Sequence, residues 1–327
     1  MATTRKSYPR FKRSGDAPRI ELTEDDTAIL RHVFRHRFLR ADDLYRLFAG
    51  RSSDKLSRRL TRLYRNGFLD RPIAQVDRYR AGGSKSLVYG LDTAGARYIK
   101  NVLNVPISTA DWQSRNRSYT RENLDHTLSI SRFMVDLELS ARARPGVSII
   151  PFDEILAGAP EATRALAQPA RWPVELSWYQ SHGTVHIIPD AIFGIRVEGE
   201  DGKATRTFIF LEIDRGTMTI APAKQVRESE GFIYRATILR KLLTYAESYR
   251  QEGHKRHLGI PAARVLTLTT TAARAEAMRQ ACEGFVVRPQ KVPPGLFLFG
   301  AAQEGGDTLE TSFTNSVNSK SRLVRLS

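Results

Sequence analysis

The chain has 327 residues, is 41% hydrophobic, and carries 51 Lys+Arg against 35 Asp+Glu, a formal net charge of +16. That is enough chain for two domains with real cores, and enough positive charge to expect a polyanionic partner. The single cysteine, Cys282, excludes a disulfide and a cysteine-based zinc site. No apolar run approaches the roughly 20 residues of a membrane span, and the basic N-terminus lacks the apolar segment of a secretory signal. The expected setting is cytoplasmic, with no membrane partner.

The charge is concentrated at the front. Residues 1–120 hold 25 Lys+Arg against 12 Asp+Glu, and the remainder holds 26 against 23. A nucleic-acid footprint is therefore expected in the N-terminal part. Residues 1–19 read as a flexible basic arm. Thr23 is placed to cap a first helix, with Glu24, Asp25 and Asp26 at its positive dipole end and Ile29, Leu30, Val33 and Phe34 as its apolar stripe. A short second helix is expected over Ala41–Ala49. A third runs from Ser52 or Ser53 to about Asn66, closed by Gly67. Leu56, Leu60 and Leu63 recur at helical spacing and are expected inside, leaving Lys55, Arg58, Arg59, Arg62 and Arg65 outside. Phe68-Leu69 begins a strand. Asp77–Arg80 and Leu87–Leu91 read as a hairpin with a glycine-rich basic tip, adding Arg78, Arg80 and Lys85 to the candidate DNA contacts.

Three short helices and a hairpin over residues 20–103 resemble a winged helix-turn-helix. The run from Leu87 to Tyr98 is similar to the way many such domains leave the wing. The resemblance implies a third helix in the major groove of double-stranded DNA and a wing on backbone or minor groove. The arginines would divide into phosphate contacts and base readers.

Residues 104–120 read as a polar linker with Trp112 as an anchor, and a long helix is expected over Glu122–Ala143. Val147–Pro151 is a short strand. Residues 157–171 read as a loop insertion, and Arg171–Tyr179 and Thr184–Ile188 as strands. The stretch Ile187–Thr217 reads as two strands joined by a turn at Glu198–Thr205, the second apolar on both faces like a strand inside a covered sheet. Three carboxylates, Asp190, Glu212 and Asp214, sit on or beside this pair, where burial needs a cationic partner. Position 201 lies midway between 190 and 212. A two-residue turn would set Asp190 opposite Ile213. A three-residue loop with a left-handed Gly202 sets it opposite Glu212, facing the same way, and that loop or a bulge is the expected form. A helix over Ser229–Arg250 carries Lys241. Arg264–Thr269 is a buried strand, Ala272–Cys282 a helix, Phe285–Val287 and Gly295–Phe299 closing strands, and the tail from Thr311 is expected to be disordered.

The second half thus resembles the PD-(D/E)xK restriction-endonuclease-like fold, giving an α/β (α+β) chain overall. The whole chain resembles the replication-relaxation family of plasmid and mobile-element proteins over residues 20–270. The match is carried by Leu124-Asp125-His126, Pro189-Asp190-Ala191, the run from Phe210 to Thr217, and Arg240-Lys241 with Tyr245. Implied domains are 1–19 arm, 20–103 winged helix, 104–120 linker, 121–300 nuclease-like domain and 301–327 tail. Replication or mobilisation proteins and a second copy of the chain are implied as partners.

The nuclease resemblance also implies Mg²⁺ on Asp190 and Glu212, but position 214 is Asp where the active pattern has Lys. Lys241 reaching back could replace that lysine, with Asp214 as a further ligand. Alternatively, catalysis is lost and the fold remains as a platform, or Asp214 forms a structural ion pair with Arg215, Lys224 or Lys241. The two functional readings are a non-enzymatic DNA-binding factor and a Mg²⁺-dependent endonuclease or nickase with Asp190, Glu212, Asp214 and Lys241 as its catalytic set.

Overall fold

A capping box opens the first helix: the Thr23 hydroxyl accepts from the Asp26 backbone N–H, and the Asp26 carboxylate accepts from the Thr23 N–H at 2.8 Å. In the computed structural model, which describes residues 10–13, 18–76, 86–103, 112–302 and 306–324, contacts divide the chain into two units, 1–135 and 136–327.

Unit 1 runs α1 (Glu24–His36), β1 (Phe38–Arg40), α2 (Ala41–Leu47), α3 (Ser53–Arg65), β2 (Leu69–Asp70), β3 (Val88–Leu91), α4 (Thr93–Leu103) and α5 (Trp112–Arg117). The strands form an antiparallel sheet in the order β1-β3-β2. The Ser52 side chain caps α3. Ile29, Leu30 and Val33 of α1, Leu44 of α2, and Leu60 and Leu63 of α3 are all fully buried, so the apolar periodicities point where the sequence put them. The hairpin limb Asp77–Arg80 and the tip with Lys85 lie outside the described residues.

The other segments of unit 1 differ from expectation. Within the supposed free arm, Arg13 donates to the carbonyls of Tyr64 (2.8 Å) and Leu69 (2.9 Å) and to the Asp92 carboxylate. The Arg10 carbonyl accepts from Arg71. The arginine thereby gives a buried carboxylate, Asp92, a cationic partner and adds a donor to two main-chain carbonyls. Within the expected linker, residues 112–117 form α5. Trp112 is buried, and Asn116 donates to Asp70 and the Leu91 carbonyl.

Helix α6 (Arg121–Arg142) contributes residues to both units. Unit 2 then runs β4 (Val147–Ile150), α7 (Phe152–Ala157), α8 (Glu161–Arg164), β5 (Trp172–Trp178), β6 (Ser181–Ile187), β7 (Ala191–Glu198), β8 (Ala204–Ile213), α9 (Lys224–Arg227), α10 (Ile238–Arg250), α11 (Gly253–Leu258), β9 (Arg264–Thr269), α12 (Ala272–Cys282), β10 (Phe297–Ala301), β11 (Phe313–Asn315) and β12 (Lys320–Ser321). Seven strands make a mixed sheet in the order β12-β11-β10-β9-β8-β7-β4, with β8, β9 and β10 parallel, and β5-β6 form a separate hairpin. Phe208 and Phe210 of β8 join a cluster with Leu239, Leu242 and Leu243 of α10 and Met278 of α12, while Ile209 and Leu211 are buried on the other face. The strand is therefore apolar on both faces for the expected reason.

Four expectations for unit 2 are corrected. The supposed loop insertion contains α8 and the end of α7. The helix expected from Ser229 starts at Ile238, because the Thr237 hydroxyl caps it by accepting from the Arg240 N–H. Residues 283–287 continue α12 as a π-helical turn and do not form a strand. The tail is not free: Phe313, Leu323 and Leu309 are buried, and β11 extends the sheet beside β10. Its few apolar residues are spaced too widely by polar ones for composition to reveal them.

Candidate functional site

Strand β8 delivers Glu212 to the sheet face covered by α10, and the register brings Asp190 to it. Glu198 pairs with Ala204 and Ala191 with Leu211, so Asp190 stands one residue beyond the last pair and acts by charge on Glu212. The Gly199 N–H donates to the Lys203 carbonyl at 2.8 Å, leaving Glu200, Asp201 and Gly202 as a three-residue loop. Gly202 has φ +75°, the left-handed position that any other residue would occupy with strain. This is the loop the carboxylate alignment required. The Asp190 N–H donates to the Leu211 carbonyl at 3.0 Å, and its carboxylate accepts from the Ile213 N–H at 2.7 Å.

Helix α10 supplies the partners of Glu212. The Lys241 ammonium donates to Oε2 at 2.5 Å and the Tyr245 hydroxyl donates to Oε1 at 2.6 Å. Four residues apart, the two lie one turn from each other on one helix face. The Tyr245 ring stacks near Phe210, two residues before Glu212 on the strand, with centroids 6.0 Å apart. Glu212 is 5% exposed. Burial pushes its carboxyl upward and Asp190 adds to the push, against Lys241 and Tyr245. Burial acts against the Lys241 charge, but Glu212 and Asp190 outweigh it and hold the ammonium above its ordinary value. Burial and Glu212 drive the Tyr245 phenol well above its ordinary range, which keeps it a protonated donor to Glu212. The Arg240 guanidinium also acts on Glu212 by Coulomb attraction and donates to the Arg235 carbonyl at 3.3 Å.

Asp214 belongs to a different arrangement. Arg274, in the first turn of α12, grips it with two hydrogen bonds of 2.7 and 3.1 Å; the Thr269 hydroxyl and Gly216 N–H donate to it at 2.6 and 3.1 Å. Of the partners the sequence offered, Arg215, Lys224 and Lys241, none is the one found. Arg274 lies sixty positions away and only the parallel pairing of β8 with β9 brings α12 to it. Burial raises the Asp214 carboxyl, but Arg274 and Thr269 outweigh this and set it below the ordinary 3.8. A lowered carboxylate contributes stability that is present above its unfolded value and lost as pH falls through the folded one. Arg274→Ala is therefore expected to destabilise unit 2 by about 3 kcal/mol at pH 7. In urea melts the deficit should shrink below pH 4, where the carboxylate takes up its proton. A deficit independent of pH would mean that Arg274 acts by packing alone.

The Mg²⁺ implied by resemblance does not fit this donor set. The oxygens of Asp190, Glu212 and Asp214 do not gather as a set within 4.8 Å. Both Glu212 oxygens already face donors, and Asp214 is committed to Arg274. Asp190 and Glu212 are matched in charge by Lys241 and Arg240, so the pocket offers a divalent ion no net negative charge.

In unit 1, Lys55, Arg58 and Arg62 are exposed on α3, and at i, i+3 and i+7 they share one face. Among the described residues none of the three pairs with a carboxylate. Arg59 and Arg65 do not belong with them. Arg59 turns inward to Asp26, which is fully buried, and donates to the Glu21 carbonyl at 2.6 Å. Arg65 is half-buried. Arg59→Ala is expected to cost about 3 kcal/mol of unit 1 stability in urea melts, because it strands a buried carboxylate. A change in DNA affinity without loss of stability would restore Arg59 as a DNA contact. Arg78, Arg80 and Lys85 lie outside the described residues. Among the described residues no helix is long and apolar enough to cross a membrane.

No curated protein and no solved structure matches the chain. The family model described as replication-relaxation matches residues 30–262, most of the chain, including α3, Asp190, Glu212 and Lys241. The chain belongs to the replication-relaxation family.

Proposed function

We propose that this protein binds double-stranded DNA through α3 and acts in replication or relaxation of a plasmid or other mobile element. The observation that carries the reading is the stripe of Lys55, Arg58 and Arg62, three exposed cations on one helix face with no carboxylate of their own. A cationic stripe held at fixed spacing on a rigid helix suits phosphates along a groove. The order of elements in unit 1, with β1 before α2, β2 and β3 after α3, and β3 between β1 and β2 in one antiparallel sheet, supports a winged helix-turn-helix. In unit 2, Asp190 beside Glu212 at the edge of the β7–β8 pairing, with α10 over Glu212, supports a nuclease-like ancestry. The endonuclease reading is not adopted, because Lys241 and Tyr245 take both Glu212 oxygens. Unit 2 then serves as a platform for replication partners or for a second copy.

The test is fluorescence anisotropy of a labelled duplex titrated with the full chain at several salt concentrations. Binding whose logarithm falls linearly with the logarithm of salt is expected, as counterions leave the phosphates. Absence of binding at low salt on every duplex tried would remove the proposal.

A further inference from the structure

Asp190, one residue beyond the last β7–β8 pair, accepts from the Ile213 N–H beside Glu212, and two such neighbouring carboxylates can bridge a divalent cation. Here the space beside them is taken by side chains of α10. The Lys241 ammonium is 2.5 Å from Glu212 Oε2, and its side chain is 31% exposed against 7% for Glu212, so it closes the pocket from the solvent side. The Thr237 cap fixes where α10 begins, and the Lys241 N–H donates to the Thr237 carbonyl at 3.2 Å, which places the lysine in the first turn. Tyr245 takes the other Glu212 oxygen one turn later. An ion bound to both carboxylates would stand against the ammonium, a like charge that cannot leave without breaking its bond to Glu212.

We infer that Lys241 is the resident cation of this pocket, standing where a divalent ion would otherwise bridge Asp190 and Glu212, and that unit 2 is metal-independent. The inference does not rest on DNA binding by α3; salt-dependent DNA affinity can hold whichever way the test below falls.

The test uses Mn²⁺ as the probe, with free ion counted by electron paramagnetic resonance in titrations of the full chain. The wild-type protein should bind no Mn²⁺ that Asp190→Ala removes. Lys241→Ala should bind one ion more tightly by roughly a hundredfold, the scale expected when a like charge about 4 Å from the ion is removed. Adding Asp190→Ala to that variant should abolish the site. Mn²⁺ should also raise the thermal midpoint of Lys241→Ala and leave that of wild type unchanged, a readout that also covers a variant that folds weakly. Lys241→Met, which keeps the apolar stem, should behave like the alanine variant. One Mn²⁺ bound by wild type and lost in Asp190→Ala would overturn the inference. So would failure of both Lys241 variants to bind or be stabilised by Mn²⁺.

Discussion

Replacing Lys55, Arg58 and Arg62 together by Glu is expected to weaken duplex binding by at least about a hundredfold at low salt, because three phosphate contacts become three repulsions. The alanine version is more diagnostic. Each lost phosphate contact should lower the salt slope by about one, so Lys55→Ala/Arg58→Ala/Arg62→Ala should flatten it by about three while leaving a weaker complex. All three side chains are exposed, so neither variant should disturb the fold. Equal melting temperatures with altered salt slopes would locate the effect in the interface. An unaltered slope would mean that α3 faces solvent in the complex. The neighbouring Arg59 provides the internal contrast. It sits on the same helix, but its guanidinium is already held by Asp26. Its removal should lower stability, with little change in slope.

The second large effect is predicted inside unit 2. Lys241→Met should destabilise it by roughly 3–5 kcal/mol at neutral pH, because Glu212 remains buried without its cation. Two features separate this from loss of packing. The double variant Lys241→Met/Glu212→Gln should recover most of the loss, since it removes the stranded charge and keeps a group able to face Tyr245. The single-variant penalty should also shrink as pH falls, because a buried carboxyl already pushed upward can take up a proton. In wild type the sign is opposite on the alkaline side. A raised lysine contributes stability that is present below its unfolded value of about 10.5 and lost as pH rises through the folded one. Urea melts of the three proteins at about pH 5, 7, 9 and 11 check all three statements. A pH-independent penalty that Glu212→Gln does not relieve would contradict the account of the pocket.

How far the sequence could be read differs from place to place, for physical reasons. Local signals were reliable. Thr23 with Asp26, Ser52 before α3, and Asp201-Gly202 midway between two carboxylates each fix a turn or cap through atoms a few residues apart, and the fold realises all three. The Asp190–Glu212 pairing followed from that one loop, because strand register propagates from a turn. The Lys241 contact with Glu212, 29 positions away, was one of several alternatives, and only the start of α10 at Thr237 decides among them. The distant partners had no local signature. Arg274 meets Asp214, Arg59 meets Asp26, and Arg13 meets Asp92 only after the chain has folded. This is why counting arginines overstated the exposed positive face. Arg37 and Arg71 add to the same lesson: Arg37 lies over the rings of Phe38, Trp112 and Tyr119, and Arg71 lies over Tyr64 and Tyr89. Composition likewise hid the C-terminal strands, whose apolar anchors Leu309, Phe313 and Leu323 are isolated among polar residues.

Site-specific photo-crosslinking tests the DNA-binding claim most directly. Asp54 is exposed on α3 one turn before Arg58, and a photoreactive residue placed there should crosslink a bound duplex, with excess unlabelled DNA suppressing the product. The same residue at Lys100, exposed on α4, serves as the reference and should give far less product. Strong crosslinking from position 100 with none from position 54, in a protein that still binds DNA, would place the interface elsewhere and contradict the account.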